Sequence, residues 1–537
     1  MTSPSAPGRV TTAPRLRLVA SLLAASVVFA GCGGGGGSPG VGIRPDQSSQ
    51  QPPPTTPPVT PPAPTPVGQT AADIDAGTLG DAFQYWNKCA APRTGLDFQG
   101  RAFPDKQGTL LDELNFLRAW THRYYLWYNE VPNTYKMADF TNAIDYFNVL
   151  KTPALTESGA AKDRYHFTYA TEEWEKMTTA GLDLGYGITF KRNTGANIPR
   201  TWLVTLVEPG SPGAAAGLQR GDMLTRVDGI DFVNAGEADL VRRINLGLFP
   251  ETAGTPHSFS FQRGGISFDV TMTALEVSVQ PVKNVKVLDT PTGKVGYLSF
   301  ETFNAVSERQ LVDAFTTLKA SAVTDLVLDL RYNGGGLLYV ASELSYMIAG
   351  PDATRGKVFE RQQYNDKTAP QDPIMFMSTA YGFSSPNPVR SGTPLPTLGL
   401  RRVTILTTSG SCSASEAVIN GLRGADIEVN LIGGQTCGKP YGFTPIPNCG
   451  TTYFSIEFKG VNNKGFGDFP DGLAPTCQVA DDLSRPVGDP AEGLLAAALA
   501  YRQTGTCPTS SARARSVPME IVRPQVKEIS IYTRPRQ

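Results

Sequence analysis

The hydrophobic and polar positions of this 537-residue chain change their period twice, which divides it into regions of different structure. From residue 110 to 128 apolar residues recur every three or four positions, and shorter patterns of this kind follow at 140–150 and 172–178, as in amphipathic helices. From residue 184 short apolar runs alternate with glycine turns, and after residue 282 strand patterns alternate with helix patterns. These patterns predict a multidomain α/β protein. Its predicted parts are a helical N-terminal domain at 70–175, a β-rich domain at 176–280, a layered α/β core at 281–505 and a C-terminal tail at 506–537.

The core region combines apolar strand patterns with helix patterns in a regular order. Strands are predicted in it at 294–300, 325–330, 403–407 and 429–432, and helices at 307–321, 337–349, 413–424 and 489–501, whereas a strand predicted at 202–207 belongs to the β-rich domain. The triplet Gly334-Gly335-Gly336 lies between a strand and a helix, where backbone N–H groups are free to meet a ligand at the carboxyl end of a sheet. A glycine triplet alone is more typical of a tight turn.

Ser413 is the candidate nucleophile of this core. It follows a predicted strand and a short loop, and it starts a helix pattern for which Gly424 is placed as the cap. The N-terminus of a helix favours developing negative charge through unpaired N–H groups and the macrodipole. A serine at such a position is more often only a helix cap. Lys439 favours the catalytic interpretation, because it follows the next strand and a Gly-Gly loop and is available as a base.

The first 32 residues predict export. Arg9, Arg15 and Arg17 precede an apolar run at 18–30 that is too short for a permanent membrane helix and is typical of a secretory signal. Cys32 directly follows Phe29-Ala30-Gly31 and resembles the cysteine of a bacterial lipobox, which implies cleavage and lipidation at Cys32. An ordinary signal peptide with an unrelated cysteine is the alternative.

Residues 33–69 are rich in Gly and then in Pro and Thr, a composition that favours an extended polyproline II spacer over a packed core. A lipid at Cys32 and this linker predict a lipoprotein held at the periplasmic or extracytoplasmic face of a bacterial cell envelope, with the outer membrane as the expected anchor site.

The charge of the chain bears on its partners, and its cysteine content bears on disulfides and metal sites. Lys and Arg number 48 and Asp and Glu 49, so the net charge gives no support for nucleic acid as a partner. Six cysteines follow Cys32, and an even number in an exported chain predicts disulfides, with 15 possible connectivities left open. The cysteines lack C-x-x-C spacing and the three histidines are scattered, so no metal site and no cofactor is expected.

Residues 184–229 resemble a PDZ domain. The run that starts at Ser211 reads SPGAAAGLQRGDMLTRVDG, and a glycine-containing loop precedes it. The resemblance implies that this loop captures the terminal carboxylate of a peptide with backbone N–H groups while the peptide adds as a strand. The alternative is a set of β-hairpins with turn glycines and no peptide site. The predicted peptide-binding residues are Leu184, Gly185, Tyr186, Gly187 and Ile188.

Taken in order, the PDZ run and three further motifs resemble the C-terminal-processing, or tail-specific, serine peptidases, including their exported lipoproteins. The further motifs are DLRYNGGG at 329–336, SCSASE at 411–416 and TCGK at 436–439. The resemblance implies Ser413 as nucleophile, Lys439 as general base, and the N–H groups of Ala414 and Gly335 as oxyanion donors. It also implies an endopeptidase whose partners are the C-terminal tails of exported polypeptides.

Phe443 departs from the family pattern, because many members carry a glutamine there, four residues after the lysine, that orients it. Either another group positions Lys439 or the base is different, and His166 is the alternative base by resemblance to tricorn-like relatives. Cys412 is a weaker candidate nucleophile, since an oxidising compartment favours a paired cysteine. The missing glutamine also leaves open a catalytically silent, peptide-binding envelope lipoprotein.

Overall fold

The structure is a computed structural model that describes residues 79–97, 100–193, 198–250, 252–508, 519–522 and 530–531. The predicted signal peptide at 1–32, with the lipidation site Cys32, and the predicted linker at 33–69 lie outside these residues. Across the described ranges, no helix combines the length and the apolar character needed to span a membrane.

The N-terminal region is built around one long helix. The elements of this region are β1 (Lys88–Cys89), β2 (Lys106–Gln107), α1 (Leu110–Tyr124), α2 (Ala143–Val149), β3 (Phe167–Ala170) and α3 (Thr171–Ala180). A capping box starts α1: the Thr109 side chain accepts the N–H of Asp112, and the Asp112 carboxylate accepts the N–H of Thr109. The helix ends four residues before the predicted end, because the backbone turns extended at Tyr125 to bury its side chain.

The segment that resembles a PDZ domain forms two antiparallel sheets, of which the smaller pairs its first strand with its last. Its elements are β4 (Leu182–Gly185), β5 (Ile188–Asn193), β6 (Trp202–Val207), α4 (Pro212–Ala215), β7 (Met223–Val227), β8 (Ile230–Asp231), α5 (Ala238–Leu248), β9 (Pro256–Arg263), β10 (Ile266–Thr273) and β11 (Leu275–Ser278). Trp202 of β6, Ile244 of α5 and Phe259 of β9 are buried in one core, so helix and sheet pack together through their apolar faces.

The α/β core follows the predicted alternation. Its first half contains β12 (Val282–Thr290), β13 (Gly293–Phe300), α6 (Ser307–Ala320), β14 (Asp325–Asp329), β15 (Gly336–Leu337), α7 (Leu338–Thr354), β16 (Val358–Tyr364) and β17 (Ile374–Met375). Its second half contains β18 (Arg402–Thr407), α8 (Ala414–Gly424), β19 (Glu428–Gly433), β20 (Tyr441–Gly442), β21 (Ile446–Asn448), β22 (Thr451–Phe454), β23 (Phe458–Val461), β24 (Cys477–Gln478) and α9 (Gly493–Thr504). Gly424 is the last residue of α8, and the cap falls on Ala425.

The central sheet of this core has the strand order β12-β13-β14-β18-β19-β24. All neighbours from β13 to β24 run parallel, and β12 adds antiparallel at one edge. Leu326 and Leu328 of β14 face a core that also contains side chains of α6, α7 and α8, whereas Val327 faces a second core with α9. Helices therefore cover both faces, which confirms the predicted layered α/β fold.

The N-terminal region shares a hydrophobic core with the hairpin β21–β22. Strand β3 pairs antiparallel with β22, and Trp120 and Phe147 are buried in the same cluster as Tyr453 and Phe454. Phe443, four residues after Lys439, belongs to this cluster too. The N-terminal region thus supports the segment that carries the candidate base.

The six cysteines in the described residues form three disulfides, a pairing that the sequence had left open. Cys89–Cys449 joins the N-terminal region to the hairpin, Cys412–Cys437 joins two loops of the core, and Cys477–Cys507 joins β24 to the residues after α9.

The C-terminal tail returns to the other regions as two short strands. Strand β25 (Met519–Val522) pairs antiparallel with β5 and extends the PDZ-like sheet, whose strand order becomes β10-β9-β7-β6-β5-β25 with β8 paired to β7. Strand β26 (Ser530–Ile531) pairs parallel with β15.

Candidate active site

Ser413 lies at a sharp turn between β18 and α8. Its backbone has φ 58° and ψ −115°, a region that residues with a side chain rarely adopt and that is often found at functional sites. The turn places Ser413 directly before the first residue of α8, Ala414, where helix N–H groups are free of intrahelical partners. The residue is buried. The strand, turn and helix expected around the candidate nucleophile are therefore present.

Lys439 and Ser413 line the same small cavity. The other residues that line it are Glu360, Ala417, Pro440, Tyr441, Gly460 and Phe469. Lys439 is buried, and its Nζ lies 4.3 Å from the centre of the Phe443 ring and 5.0 Å from that of the Tyr165 ring. The residue that replaces the expected glutamine therefore contacts the lysine through its aromatic face.

The carboxylate of Glu416 joins the segments that carry the two candidate residues. Its Oε2 accepts the backbone N–H of Ser413 at 3.0 Å and that of Lys439 at 2.8 Å. Its Oε1 accepts the Thr436 hydroxyl at 2.6 Å and the N–H of Gly438 at 2.9 Å. Burial raises the pKa of Glu416 to about 7, and these hydrogen bonds oppose the rise.

Glu416 lies in the motif at 411–416, but the motif alone did not predict a role for it. The signal that identifies it is the spacing Ser-x-x-Glu at a helix N-terminus, which is a capping box. In this fold the capping box does more than cap the start of α8, because the carboxylate of Glu416 also accepts hydrogen bonds from the loop at 436–439.

The disulfide Cys412–Cys437 makes a covalent connection between the same two segments. Both sulfurs are consumed in it, so Cys412 presents no thiolate as a nucleophile. Cys412, Glu416 and Cys437 are close enough to hold a metal ion, but the disulfide leaves only the carboxylate as a ligand. The loop is further fixed by the Tyr165 hydroxyl, which donates to the carbonyl of Gly438 at 3.0 Å.

Gly335 lies against the turn at Ser413. A Cβ atom at this position would stand 2.8 Å from Ser413 Cβ and 3.0 Å from the backbone N of Ala414, and φ is 108°, so only glycine fits without strain. Its N–H donates to Asn333 Oδ1 at 2.8 Å. The oxyanion roles of Gly335 and Ala414 stay predictions, and for Gly335 the role requires that its N–H turn away from Asn333.

Arg331, beside the glycine triplet, is fully buried among carboxylates. It donates to Asp329 at 2.9 Å, to the two oxygens of Glu492 at 2.7 and 2.9 Å, and to Asp481 at 3.2 Å. A buried guanidinium needs such paired hydrogen bonds to offset its desolvation. This cluster fixes the strand end from which the glycine loop leaves the sheet.

Asp481 extends that cluster to the PDZ-like segment. Its carboxylate accepts from Arg220 at 2.7 Å and from Lys191 at 3.0 Å, and it also accepts the Tyr332 hydroxyl at 2.7 Å. Burial raises the pKa of Asp481, but the charges of Arg220, Lys191 and Arg331 hold it far below its ordinary range. The PDZ-like segment and the glycine loop are therefore linked through one carboxylate.

The predicted peptide-binding loop and the glycine triplet line one cavity of about 320 Å³. All five loop residues, Leu184, Gly185, Tyr186, Gly187 and Ile188, belong to its lining, together with Gly334, Gly335 and Gly336. Capture of a carboxylate by the loop stays a prediction. The cavity extends from this loop to Gly335, which lies against the turn at Ser413.

His166 lies outside the small cavity of Ser413 and Lys439. Its ring stacks on Phe147 with centroids 3.8 Å apart, its Nε2 is 2.8 Å from the carbonyl oxygen of Phe147, and its Nδ1 is 3.5 Å from Asp163 Oδ2. These contacts are typical of a histidine that supports a core.

Comparison with known proteins adds family information. Residues 294–470 match the model of peptidase family S41, and residues 203–245 match that of the PDZ domain. The C-terminal processing peptidase of the chloroplast of Tetradesmus obliquus is 28% identical over 283 residues, which are 49% of this chain and 52% of that protein. The carboxyl-terminal-processing protease of Picosynechococcus sp. is 28% identical over 184 residues, which are 32% of this chain and 39% of that protein.

The chain spans about half the length of the curated relatives it matches. Among solved structures, a protein of Bacteroides fragilis assigned to the S41 proteases superposes with a TM-score of 0.55 at 24% identity, over 76% of this chain and 99% of that one. This likeness supports the fold alone. The resemblances to the peptidase family and to the PDZ domain are confirmed, and the exported lipoprotein subgroup stays a prediction.

Proposed function

We propose that this chain, which carries a peptidase family S41 core and a PDZ domain, is a serine endopeptidase with Ser413 as nucleophile and Lys439 as general base. The observation that carries the proposal is that both residues line one buried cavity. The carboxylate of Glu416 and the disulfide Cys412–Cys437 hold their two segments together, as a two-residue mechanism requires.

In the proposed reaction Ser413 Oγ attacks a peptide carbonyl carbon while its proton passes to the neutral amine of Lys439. The tetrahedral oxyanion collapses, the C–N bond breaks, and the leaving amine takes the proton from Lys439. Water then attacks the acyl-enzyme with the same lysine as base, which releases the acid product and restores Ser413. The N–H groups of Ala414 and of the glycine loop are the proposed donors to the oxyanion.

We use the term PDZ groove for the space beside strand β5 and the loop at 184–188. For the substrate we propose polypeptides that enter through this groove, including the C-terminal tails of exported proteins. The cavity that runs from the loop at 184–188 to the glycine triplet supports this route. We further propose that the enzyme is lipid-anchored at Cys32 on the periplasmic face of the outer membrane, with the linker at 33–69 as a spacer. In cell fractionation, Cys32→Ala should move the protein from the membrane to the soluble fraction, and an unchanged distribution would contradict the anchor.

The test of catalysis compares the wild type, Ser413→Ala and Lys439→Ala on an unstructured protein substrate. Both variants should lose at least about a thousandfold in kcat. The matched controls are Ser267→Ala and Lys294→Ala, two exposed positions of the same residue types, which should leave turnover unchanged. If the wild type cleaves nothing, or if Ser413→Ala cleaves equally well, the proposal is wrong. In the first case, retained peptide binding would favour the catalytically silent alternative.

His166→Ala separates the two candidate bases in the same assay. We expect this variant to keep turnover at temperatures where it is folded, because His166 contacts Phe147 and Asp163. Loss of turnover in folded His166→Ala, with turnover retained in Lys439→Ala, would instead identify His166 as the base.

A further inference from the structure

The C-terminal tail occupies the edge of the PDZ sheet. Strand β25 runs antiparallel to β5, with Met519 opposite Asn193 and Val522 opposite Phe190. Strand β5 begins at Ile188, the last residue of the predicted peptide-binding loop at 184–188, and a peptide that binds a PDZ domain adds as a strand at this place. The chain therefore places its own residues 519–522 where a bound peptide is expected.

The side chains of β25 fit this site on both of its faces. Glu520 lies opposite Arg192 and forms an ion pair of 2.6 Å with it. Val522 is buried in the core of the PDZ domain. Ile521 faces the catalytic core, where its Cγ1 lies 3.2 Å from the position of a Cβ atom at Gly410, three residues before Ser413. The strand thus makes specific contacts with the groove and with the loop before the candidate nucleophile.

The next described residues of the tail extend these contacts towards the candidate active site. Ser530 and Ile531 pair parallel with Gly336 and Leu337, which follow Gly335 directly. Ile521 and Val522 line the same cavity as the glycine triplet. The tail thereby covers both ends of the route proposed for a substrate.

We propose that Met519–Val522 is the resident ligand of the PDZ groove, and that the groove takes extended segments in which an acidic residue is followed by two aliphatic residues. A substrate must then displace the tail before it reaches Ser413. The effect on catalysis rests on the peptidase function proposed above, whereas the docking of the tail is independent of it.

The test measures binding in the Ser413→Ala background, so that its result does not depend on catalysis. One protein has the full length and the other ends at Pro508, which keeps the disulfide Cys477–Cys507. The probe is a fluorescent peptide with the sequence of residues 518–524, Pro-Met-Glu-Ile-Val-Arg-Pro, blocked at both ends so that no terminal carboxylate contributes. Fluorescence anisotropy gives its Kd for each protein.

The shortened protein should bind the probe at least about tenfold more tightly than the full-length protein, because an occupied groove lowers the apparent affinity in proportion to its occupancy. Equal affinity for the two proteins, or no binding to the folded shortened protein, would overturn the proposal. If the shortened protein does not fold, full-length Val522→Asp takes its place. That substitution places a charge in the buried contact of Val522, so the tail should leave the groove and the probe should bind. A folded variant that does not bind the probe would contradict the proposal.

A charge reversal tests the proposed specificity. Arg192→Glu in the shortened protein should lose at least about tenfold in affinity for the probe and regain it for a probe with Arg in place of Glu. If both probes bind both proteins alike, the ion pair does not select the ligand. For catalysis, shortening of the otherwise wild-type chain should raise kcat/KM on an unstructured protein. If the shortened Ser413→Ala protein binds the probe while the wild type cleaves nothing, the docking proposal stands and the peptidase proposal fails.

Discussion

Cys412 and Cys437 form a disulfide that connects the residue before Ser413 to the residue two positions before Lys439. The separation of 25 residues between them gives a bond of this kind a stabilising effect of about 3 kcal/mol, mainly through the unfolded state. Because the disulfide lies next to both candidate catalytic residues, we expect it also to keep Ser413 and Lys439 aligned with each other.

Replacement of this disulfide should therefore lower turnover as well as stability. In Cys412→Ala/Cys437→Ala we expect kcat to fall at least about tenfold, because only hydrogen bonds then hold the lysine loop against Ser413. The matched control is Cys477→Ala/Cys507→Ala, with a similar separation of 30 residues, which should lose comparable stability and keep kcat. Urea unfolding and a peptidase assay measure the two effects, and equal kcat in both double variants would contradict a role in alignment.

Glu416→Gln should lower kcat about a hundredfold with little change in KM. In the wild type both carboxylate oxygens of Glu416 accept hydrogen bonds, one from the N–H groups of Ser413 and Lys439 and the other from the Thr436 hydroxyl. Glutamine replaces one of these oxygens with an NH2 group, which cannot accept, so the segments of Ser413 and Lys439 lose their common acceptor. Steady-state kinetics give the split between kcat and KM, which a merely structural loss would not produce. Glu237→Gln, at an exposed position, is the control and should leave both values unchanged. A folded Glu416→Gln protein with unchanged kcat would show that the carboxylate does not position the site.

Gly335→Ala should lower turnover strongly, because the new methyl group would meet Ser413 Cβ at 2.8 Å in a backbone conformation that disfavours alanine. We expect a loss of stability of about 2 kcal/mol and at least about a hundredfold loss of kcat. Gly95→Ala isolates the backbone effect, since Gly95 has φ 96° and no atom within 4 Å of an added Cβ. The control should lose about 1 kcal/mol and no activity. Full turnover in Gly335→Ala would mean that the glycine loop lies farther from Ser413 during the proposed reaction.

The buried pair Glu343 and Glu308 predicts a stability that falls with rising pH. Glu343 Oε1 accepts the N–H of Tyr381 at 2.7 Å, and Glu308 accepts those of Gly382 and Phe383 at 2.8 and 3.0 Å. Burial and then the charge of Glu308 raise the pKa of Glu343 from its ordinary value of 4.5 to about 9. The folded state therefore binds more protons between these two pH values. The contribution of Glu343 is fully present below pH 4.5 and is lost as the pH rises through 9.

Glu343→Gln removes this titration while it keeps a donor towards Glu308 and an acceptor for Tyr381. The variant should gain on the order of 2 kcal/mol over the wild type between pH 6 and 9. Urea unfolding at a series of pH values measures the difference, and parallel curves for the two proteins would contradict the prediction.

The sequence predicted those elements whose pattern is local. The strand Trp202–Val207 agrees with its predicted bounds, and the helix Ser307–Ala320 differs by one residue, because their spacing of apolar positions is regular. The helix α1 was predicted too long because the aromatic residues after Tyr124 continue its apolar pattern, while the actual end depends on burial of Tyr125 against distant residues. The strand β3 appeared within the predicted helical region because it pairs with β22, about 280 residues away.

In the candidate site, too, the residues within local motifs could be predicted from the sequence, and the contacts between distant segments could not. Ser413 and Lys439 were identified through motifs, and the structure brings them to one cavity. The link through Asp481 and the docking of β25 on β5 join residues about 260 to 330 positions apart. Nothing in the local pattern of the tail indicates which edge strand it pairs with, because β5 becomes available only once the PDZ domain has folded.

The end of α9 and the disulfide Cys477–Cys507 hold the start of the tail on the core, and eleven residues, 508–518, separate Cys507 from β25. A ligand on so short a tether has an effective concentration in the millimolar range. A segment with a Kd of about 100 μM would then fill the groove about nine-tenths of the time, although the same peptide free in solution would bind weakly. In the proposed docking, the tether would set an affinity threshold that favours abundant or tightly bound polypeptides over the others.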